Sequence, residues 1–224
     1  MSTLAASMEA PALLPETIPI FPLPGVVLLP RARLPLNIFE PRYISMIDDV
    51  LGQGRVIGMI QPNAPEGHDN LLPPTYKIGC AGRITSFTET EDGRFLIGLT
   101  GLCRFTVTEE LPFEKLYRRA KVDWQKYLGD MNEPEDIDID RKRLVATLQH
   151  YFKLQGIAAD WNAVQNTPND LLISSLVMIC PLAPNEKQAL LEAQNLHARA
   201  DMLMALLEMA SMPQSVEAEG AAKH

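Results

Sequence analysis

Apolar positions change their period twice along this chain. From Ile18 to Phe39 they are cut by Pro19, Pro22, Pro24, Pro30 and Pro35 into the runs Ile20–Leu23, Val26–Leu29 and Leu34–Phe39. Proline lacks an amide hydrogen and fixes φ, so such runs read as edge or interrupted strands. Pro24-Gly25 predicts a tight turn. The unbroken run Val26–Leu29 predicts a short strand buried on both faces. The period then becomes helical. Tyr43, Met46, Ile47, Val50 and Leu51 share one stripe, and Gly52 follows as a stop. Pro41 is pre-organised for the first helical position, and Glu40 places negative charge at the positive end of the helix dipole.

Strand patterning resumes at Arg55–Gln61, followed by a polar loop over 61–74. Tyr76–Glu89 and Arg94–Thr108 predict a hairpin, with Asp92-Gly93 between them as a type I′ pair. Gly79, Gly82, Gly98 and Gly101 interrupt these strands, as glycines do at bulges and corners. A last strand is predicted around Ala120–Trp124. Residues 130–140 carry six acidic side chains, which read as a solvated linker that favours the start of the next helix. Beyond it the helical period returns. Leu144, Val145, Leu148, Tyr151 and Phe152 form a stripe that Gly156 ends, and Trp161 and Val164 mark a short helical turn. Thr167-Pro168-Asn169-Asp170 supplies a cap, a proline and an early acid ahead of Leu171–Cys180. Pro184–Ala193 and Leu196–Met209 complete the series, with Met202, Met204 and Met209 read as packing residues. The chain thus divides into a mobile tail (1–16), a β part (17–127), a helical part (128–212) and a second mobile tail (213–224). The class is α+β.

Composition narrows the function. The chain has 224 residues, 46% of them hydrophobic, and suffices for a sizeable core. A net charge of −8 argues against a nucleic-acid partner. No Lys or Arg precedes Arg31, so a secretory leader is not expected. Leu171–Cys180 is about half a membrane span, and no membrane partner is expected. Cys80, Cys103 and Cys180 lie far apart, as buried thiols in a reducing cytoplasm do. The sequence contains no nucleotide-binding G-x-x-x-x-G-K-[ST], no G-x-S-x-G and no paired histidine motif. Catalytic, metal-ligating and cofactor-binding residues are therefore not assigned.

The segment Ile18–Tyr43, ending in Phe39-Glu40-Pro41-Arg42-Tyr43, resembles the opening of the Lon-protease N-terminal, or LON substrate-binding, domain. The resemblance continues through Gly82-Arg83-Ile84, Asp92-Gly93-Arg94 and Gly101-Leu102-Cys103-Arg104-Phe105, and reaches PLAPNEKQALLEA near the end. It covers roughly residues 17–210. It implies a PUA-like (LON-domain) β-barrel of about six strands followed by a C-terminal helical bundle. It also implies recognition of unfolded or damaged protein segments, for quality control or beside a separate ATP-dependent protease. A full Lon protease continues into ATPase and Ser–Lys peptidase modules, whose motifs do not occur here. The expected function is accordingly a non-catalytic protein-binding module, receiving extended peptides by strand addition. The alternatives are a hydrolase or peptidase with a dispersed site and, ranked last on charge, an RNA-binding PUA-like module.

The residues that carry the resemblance are Phe21, Pro22, Arg31, Phe39, Glu40, Pro41, Arg42, Tyr43, Arg83, Arg94 and Arg104. Each also has a structural reading. Phe21, Phe39 and Tyr43 are expected as core anchors. Glu40 and Arg42 are expected to form a local ion pair at the helix start. Arg42, Arg83, Arg94 and Arg104 are expected to orient loops through carbonyls and carboxylates. Arg31, where many relatives place glycine, forms with Arg33 a basic spot read as an exposed loop rather than a partner contact.

Overall fold

The computed structural model describes residues 14–63, 72–133 and 137–212. Both expected tails lie outside these residues, apart from Leu14–Glu16, as do much of the loop 61–74 and part of the acidic segment 130–140. Leu14–Glu16 are not tail. Leu14 is buried in one apolar cluster with Trp124, whose indole N–H donates to the Pro15 carbonyl at 3.1 Å.

Among the described residues six strands form one sheet: β1 (Thr17–Pro22), β2 (Arg33–Ile38), β3 (Val56–Ile60), β4 (Ile78–Glu89), β5 (Phe95–Glu110) and β6 (Arg118–Asp123). Their order is β2-β5-β4-β3-β1-β6, and β5 pairs with β6 as well. The 16-residue β5 makes this possible, bonding β2 through its first half and β6 through its second. The sheet therefore curls back on itself, and among the described strands β2 pairs with β5 alone. The fold is α+β with six strands, as expected, but the strands do not close a six-stranded barrel. The parallel pair β1–β3 needs a crossover, which contains the helix α1 (Pro41–Leu51). Five helices follow: α2 (Arg141–Gln155), α3 (Trp161–Asn166), α4 (Asn169–Ile179), α5 (Pro184–Glu192) and α6 (Leu196–Ala210). A 3-10 helix at Gln125–Met131 joins them to the sheet.

Val27–Leu29 is buried as predicted and Val26 half-buried, but the run is not a strand. It is a loop laid across β5. Arg31 N–H donates to the Gly101 carbonyl and Gly101 N–H to the Ala32 carbonyl, both at 2.9 Å. The approach is so close that a Cβ on Gly101 would stand 2.0 Å from the Leu29 carbonyl oxygen. Val27, Leu28 and Leu29 thereby plug the larger apolar cluster, which continues through α1 into α2, α4, α5 and α6.

The hairpin also differs from expectation. A type I′ turn needs positive φ at both central residues, and here Gly93 has φ +76° whereas Asp92 does not. Gly93 N–H donates to the Thr90 carbonyl and Thr90 N–H to the Arg94 carbonyl. The connection is thus the three-residue loop Glu91–Gly93, with glycine in the left-handed position. The expected bulges are present: the β4–β5 register shifts between Ala81 and Gly82 and between Ile84 and Ser86.

Helix caps follow local chemistry. The Asp140 carboxylate accepts from Arg143 N–H, and Asp160 accepts from Asn162 and Ala163 N–H. Gly156 ends α2 at φ +66°. Thr167 does not cap α4; its hydroxyl donates backwards to the Ala163 carbonyl of α3. Pro168 takes the N-cap position, and Asp170 supplies the acid of the first turn. The three cysteines are buried and unpaired.

Candidate functional site

The end of β1, the first turn of α1 and the loop between β5 and β6 meet around a groove of about 310 Å³. Pro22 and Pro24 form one wall, Pro62, Leu72 and Pro73 another, and Phe113, Leu116, Tyr117 and Arg118 the third. Phe113 is 58% exposed and Leu116 60% exposed, with Leu72 beside them. Large apolar side chains gathered at a concave surface mark an interaction site more than scattered ones do. The floor is rigid. The Phe21 and Tyr43 rings are buried with centroids 4.1 Å apart. The Arg42 guanidinium lies 4.5 Å above the Tyr43 ring, and its Nε donates to Glu40 at 2.9 Å. Glu40 makes no side-chain cap bond, and Pro41 takes the first helical position. Burial, above all, raises the Tyr43 hydroxyl pKa.

The third wall is pinned by polar bonds. The Tyr117 hydroxyl donates to Asp49 at 2.6 Å, and the Lys115 ammonium donates to the same oxygen at 3.0 Å. Burial, then the bond to Asp49, pushes Tyr117 up to about 12. The Tyr117 bond, then the Lys115 bond, holds the Asp49 carboxyl below its usual value. Arg118 chelates Glu110 and donates to the Pro73 carbonyl at 2.8 Å, tying two walls together. Proline, aromatic and aliphatic groups with only peripheral hydrogen bonding suit an apolar segment held by its side chains.

Strand addition has a less suitable surface. β2 pairs only with β5 among the described strands. It carries the charged, exposed Arg33 and the donor-less Pro35, both features that blunt an edge.

The groove collects Pro22, Arg42 and Tyr43 from the family-signature residues, with Phe21 packed on Tyr43, Glu40 bonded to Arg42 and Pro41 starting the helix beside them. The others lie elsewhere. Phe39 is 64% exposed, against the expectation of a core anchor, because β2 ends with Ile38 turned inward and the next side chain points outward. Arg31 is not an isolated exposed charge. Its backbone is left-handed (φ +64°), and its side chain bonds Asp170 of α4 and the Asp130 and Asn132 carbonyls. Arg94 pairs with Asp92 at 2.8 Å in the hairpin loop. Arg83 is half-buried on β4, in register with Val56 and Thr100.

Arg104 is the most committed of the set. It is buried, meets Asp130 through two side-chain bonds of 2.8 and 2.9 Å, and donates to the Leu191 and Ala193 carbonyls. Burial lowers its pKa, and the Asp130 bonds more than offset this. It joins β5 to the C-terminal end of α5, where a guanidinium also suits the helix dipole. Phe113 and Leu116 were not singled out from sequence. The available signal was the apolar character of the connection Leu111–Tyr117, which only Glu114 and Lys115 interrupt.

Comparison with known proteins places the chain in a family. Residues 17–209 match the ATP-dependent protease La (LON) substrate-binding domain, and the chain belongs to that family. It is 28% identical over 213 residues to Lon protease 2 of Myxococcus xanthus, an alignment covering 92% of this chain and 26% of that protein. It is 25% identical over 205 residues to Lon protease 2 of Sorangium cellulosum, with 86% and 24% covered. The chain thus spans about a quarter of the length of these relatives. Its fold is that of the crystal structure of a Lon N-terminal domain protein from Xanthomonas campestris. The TM-score is 0.58 at 23% identity, with 84% of this chain and 97% of that one covered. Among the described residues no helix is long and apolar enough to cross a membrane.

Proposed function

We propose that this chain is a non-catalytic substrate-recognition module that captures apolar segments of unfolded or damaged proteins, in quality control or beside an ATP-dependent protease. The observation that carries this reading is the groove rimmed by Phe113, Leu116 and Leu72 on the rigid Phe21–Tyr43 floor. Membership of a substrate-binding family supports it. The groove suits a few consecutive apolar side chains of an extended segment.

The test is binding of a fluorescently labelled, permanently unfolded casein. Wild-type protein binds it without cleaving it. The double variant Phe113→Ser/Leu116→Ser weakens binding by about tenfold or more, as loss of anchoring apolar side chains does. Both side chains are mostly exposed, so its unfolding transition stays in place. Wild-type binding at background level, or equal binding by the variant, overturns the groove reading. Casein turnover that survives purification supports a hydrolase instead.

A further inference from the structure

The two faces of the sheet differ where β2, β5 and β4 lie side by side. One face, with Ile84, Ile97 and Leu99, belongs to the larger apolar cluster. On the other, register sets the side chains in three cross-strand rows. Asn37, Leu96 and Thr88 form the first, Pro35, Gly98 and Ser86 the second, and Arg33, Thr100 and Arg83 the third. Cross-strand partners share a face, as do alternate residues along a strand. The bulge after Ile84 adds Thr85, whose hydroxyl meets that of Thr100 at 3.0 Å. These rows are open to solvent. Arg33, Pro35, Asn37, Ser86, Thr88 and Leu96 are all exposed, and Arg83 is half-buried.

The charge of this face is one-sided, since no carboxylate stands in any of the three rows. Unlike Arg31, Arg94, Arg104, Arg118 and Arg143, neither Arg33 nor Arg83 meets a carboxylate among the described residues. The two stand on either side of Thr100, about 10 Å apart at two strand spacings. On a chain of net charge −8 they form a local reversal of sign, which favours an anionic partner and steers its approach. The far end of the face is apolar. Leu96, 45% exposed, lies four residues before Thr100 on β5, about 13 Å away.

We infer that this sheet face docks an extended acidic segment of a partner polypeptide, with a carboxylate between Arg33 and Arg83 and an apolar side chain on Leu96. In an extended chain, residues four apart share a face and stand about 13 Å from each other, which matches the spacing of Thr100 and Leu96. The hydroxyls of Thr85 and Thr100 add donors beside the carboxylate. The segment lies across the face and leaves the β2 edge unpaired, as Pro35 requires. Nucleic acid fits less well: none of the rows carries an aromatic ring to stack a base, and the chain as a whole repels a polyanion. The face shares no residue with the proline-lined groove, so variants at one site leave the other intact.

Fluorescence anisotropy of the full chain at low ionic strength tests this with three labelled probes. One is a short threonine-rich peptide carrying a leucine and a glutamate four residues apart. The second has glutamine in place of the glutamate, and the third is an oligouridylate. The glutamate peptide binds, and the glutamine peptide binds at least about fivefold more weakly. Arg33→Gln and Arg83→Gln each weaken the glutamate peptide by about fivefold, the loss of one exposed charge pair. Arg33 is exposed, so its replacement leaves the unfolding transition in place. Arg143→Gln removes the same charge from α2 and leaves binding unchanged. Absence of binding by the glutamate peptide at millimolar concentration overturns the inference. So does equal binding of the two peptides, or an equal loss in Arg143→Gln. Oligouridylate binding that exceeds peptide binding and is lost in Arg33→Gln overturns it in favour of a nucleic-acid partner.

Discussion

Arg104 and Arg143 both meet carboxylates, yet burial separates what the two contacts contribute. Arg143 reaches Glu208 from an exposed position on α2, where solvent and side-chain entropy leave an ion pair about 0–1 kcal/mol. Arg104 is sealed between sheet and helices with Asp130 and two α5 carbonyls. Removing it strands a buried carboxylate. Arg104→Met is expected to cost about 3–5 kcal/mol in urea unfolding, against less than about 1 kcal/mol for Arg143→Ala. Equal losses would contradict this assignment. The Asp49–Tyr117 bond carries a pH signature. Asp49 has a lowered folded pKa, so its contribution is present above the unfolded value of 3.8 and is lost as pH falls below it. Tyr117 is raised from 10.0 to about 12, so its contribution is present below pH 10 and is lost as pH climbs toward 12. Unfolding followed across pH should show a flattened acid limb for Asp49→Asn and a flattened alkaline limb for Tyr117→Phe. Unchanged limbs would remove the bond from the account.

Glycines separate two kinds of element junction. A Cβ at Gly52, the α1 C-cap, meets open space, whereas at Gly101 it meets the Leu29 carbonyl at 2.0 Å. Gly101→Ala is therefore expected to destabilise by about 3 kcal/mol, and Gly52→Ala by within about 0.5 kcal/mol. A mild Gly101→Ala would show that Val26–Leu29 does not lie tightly on β5. That loop also shows where sequence reading stops. The run Val26–Leu29 announced burial, but hydrophobicity alone does not distinguish a strand from a plug. The distinction depends on bonds to Gly101, some seventy residues away. The helices were more legible because stripe, cap and stop are local: Pro41 began α1 and Gly156 ended α2. Asp92-Gly93 fell between these cases. The turn site was visible, but its type depended on Thr90 bonding Arg94.

At the scale of the molecule, the long β5 organises the fold. By pairing with β2, β4 and β6 it curls the sheet and sets the β5–β6 loop against α1. Part of the candidate site was legible in Pro22, Arg42 and Tyr43. Leu72, Phe113 and Leu116 were not, since a groove built from distant segments has no single sequence pattern. The buried arginines were partly legible. Arg199 sits with Leu196, Ala200, Leu203 and Leu207 on the buried face of α6, an arginine where the helical period calls for an apolar residue.

The central claim is that clients dock in the groove, and hydrogen–deuterium exchange with and without unfolded casein tests it most directly. The account predicts added protection in the first turn of α1 and in residues 113–118, with α2 and α6 unchanged. Protection confined to the helical part, or to the β2 edge, would contradict it.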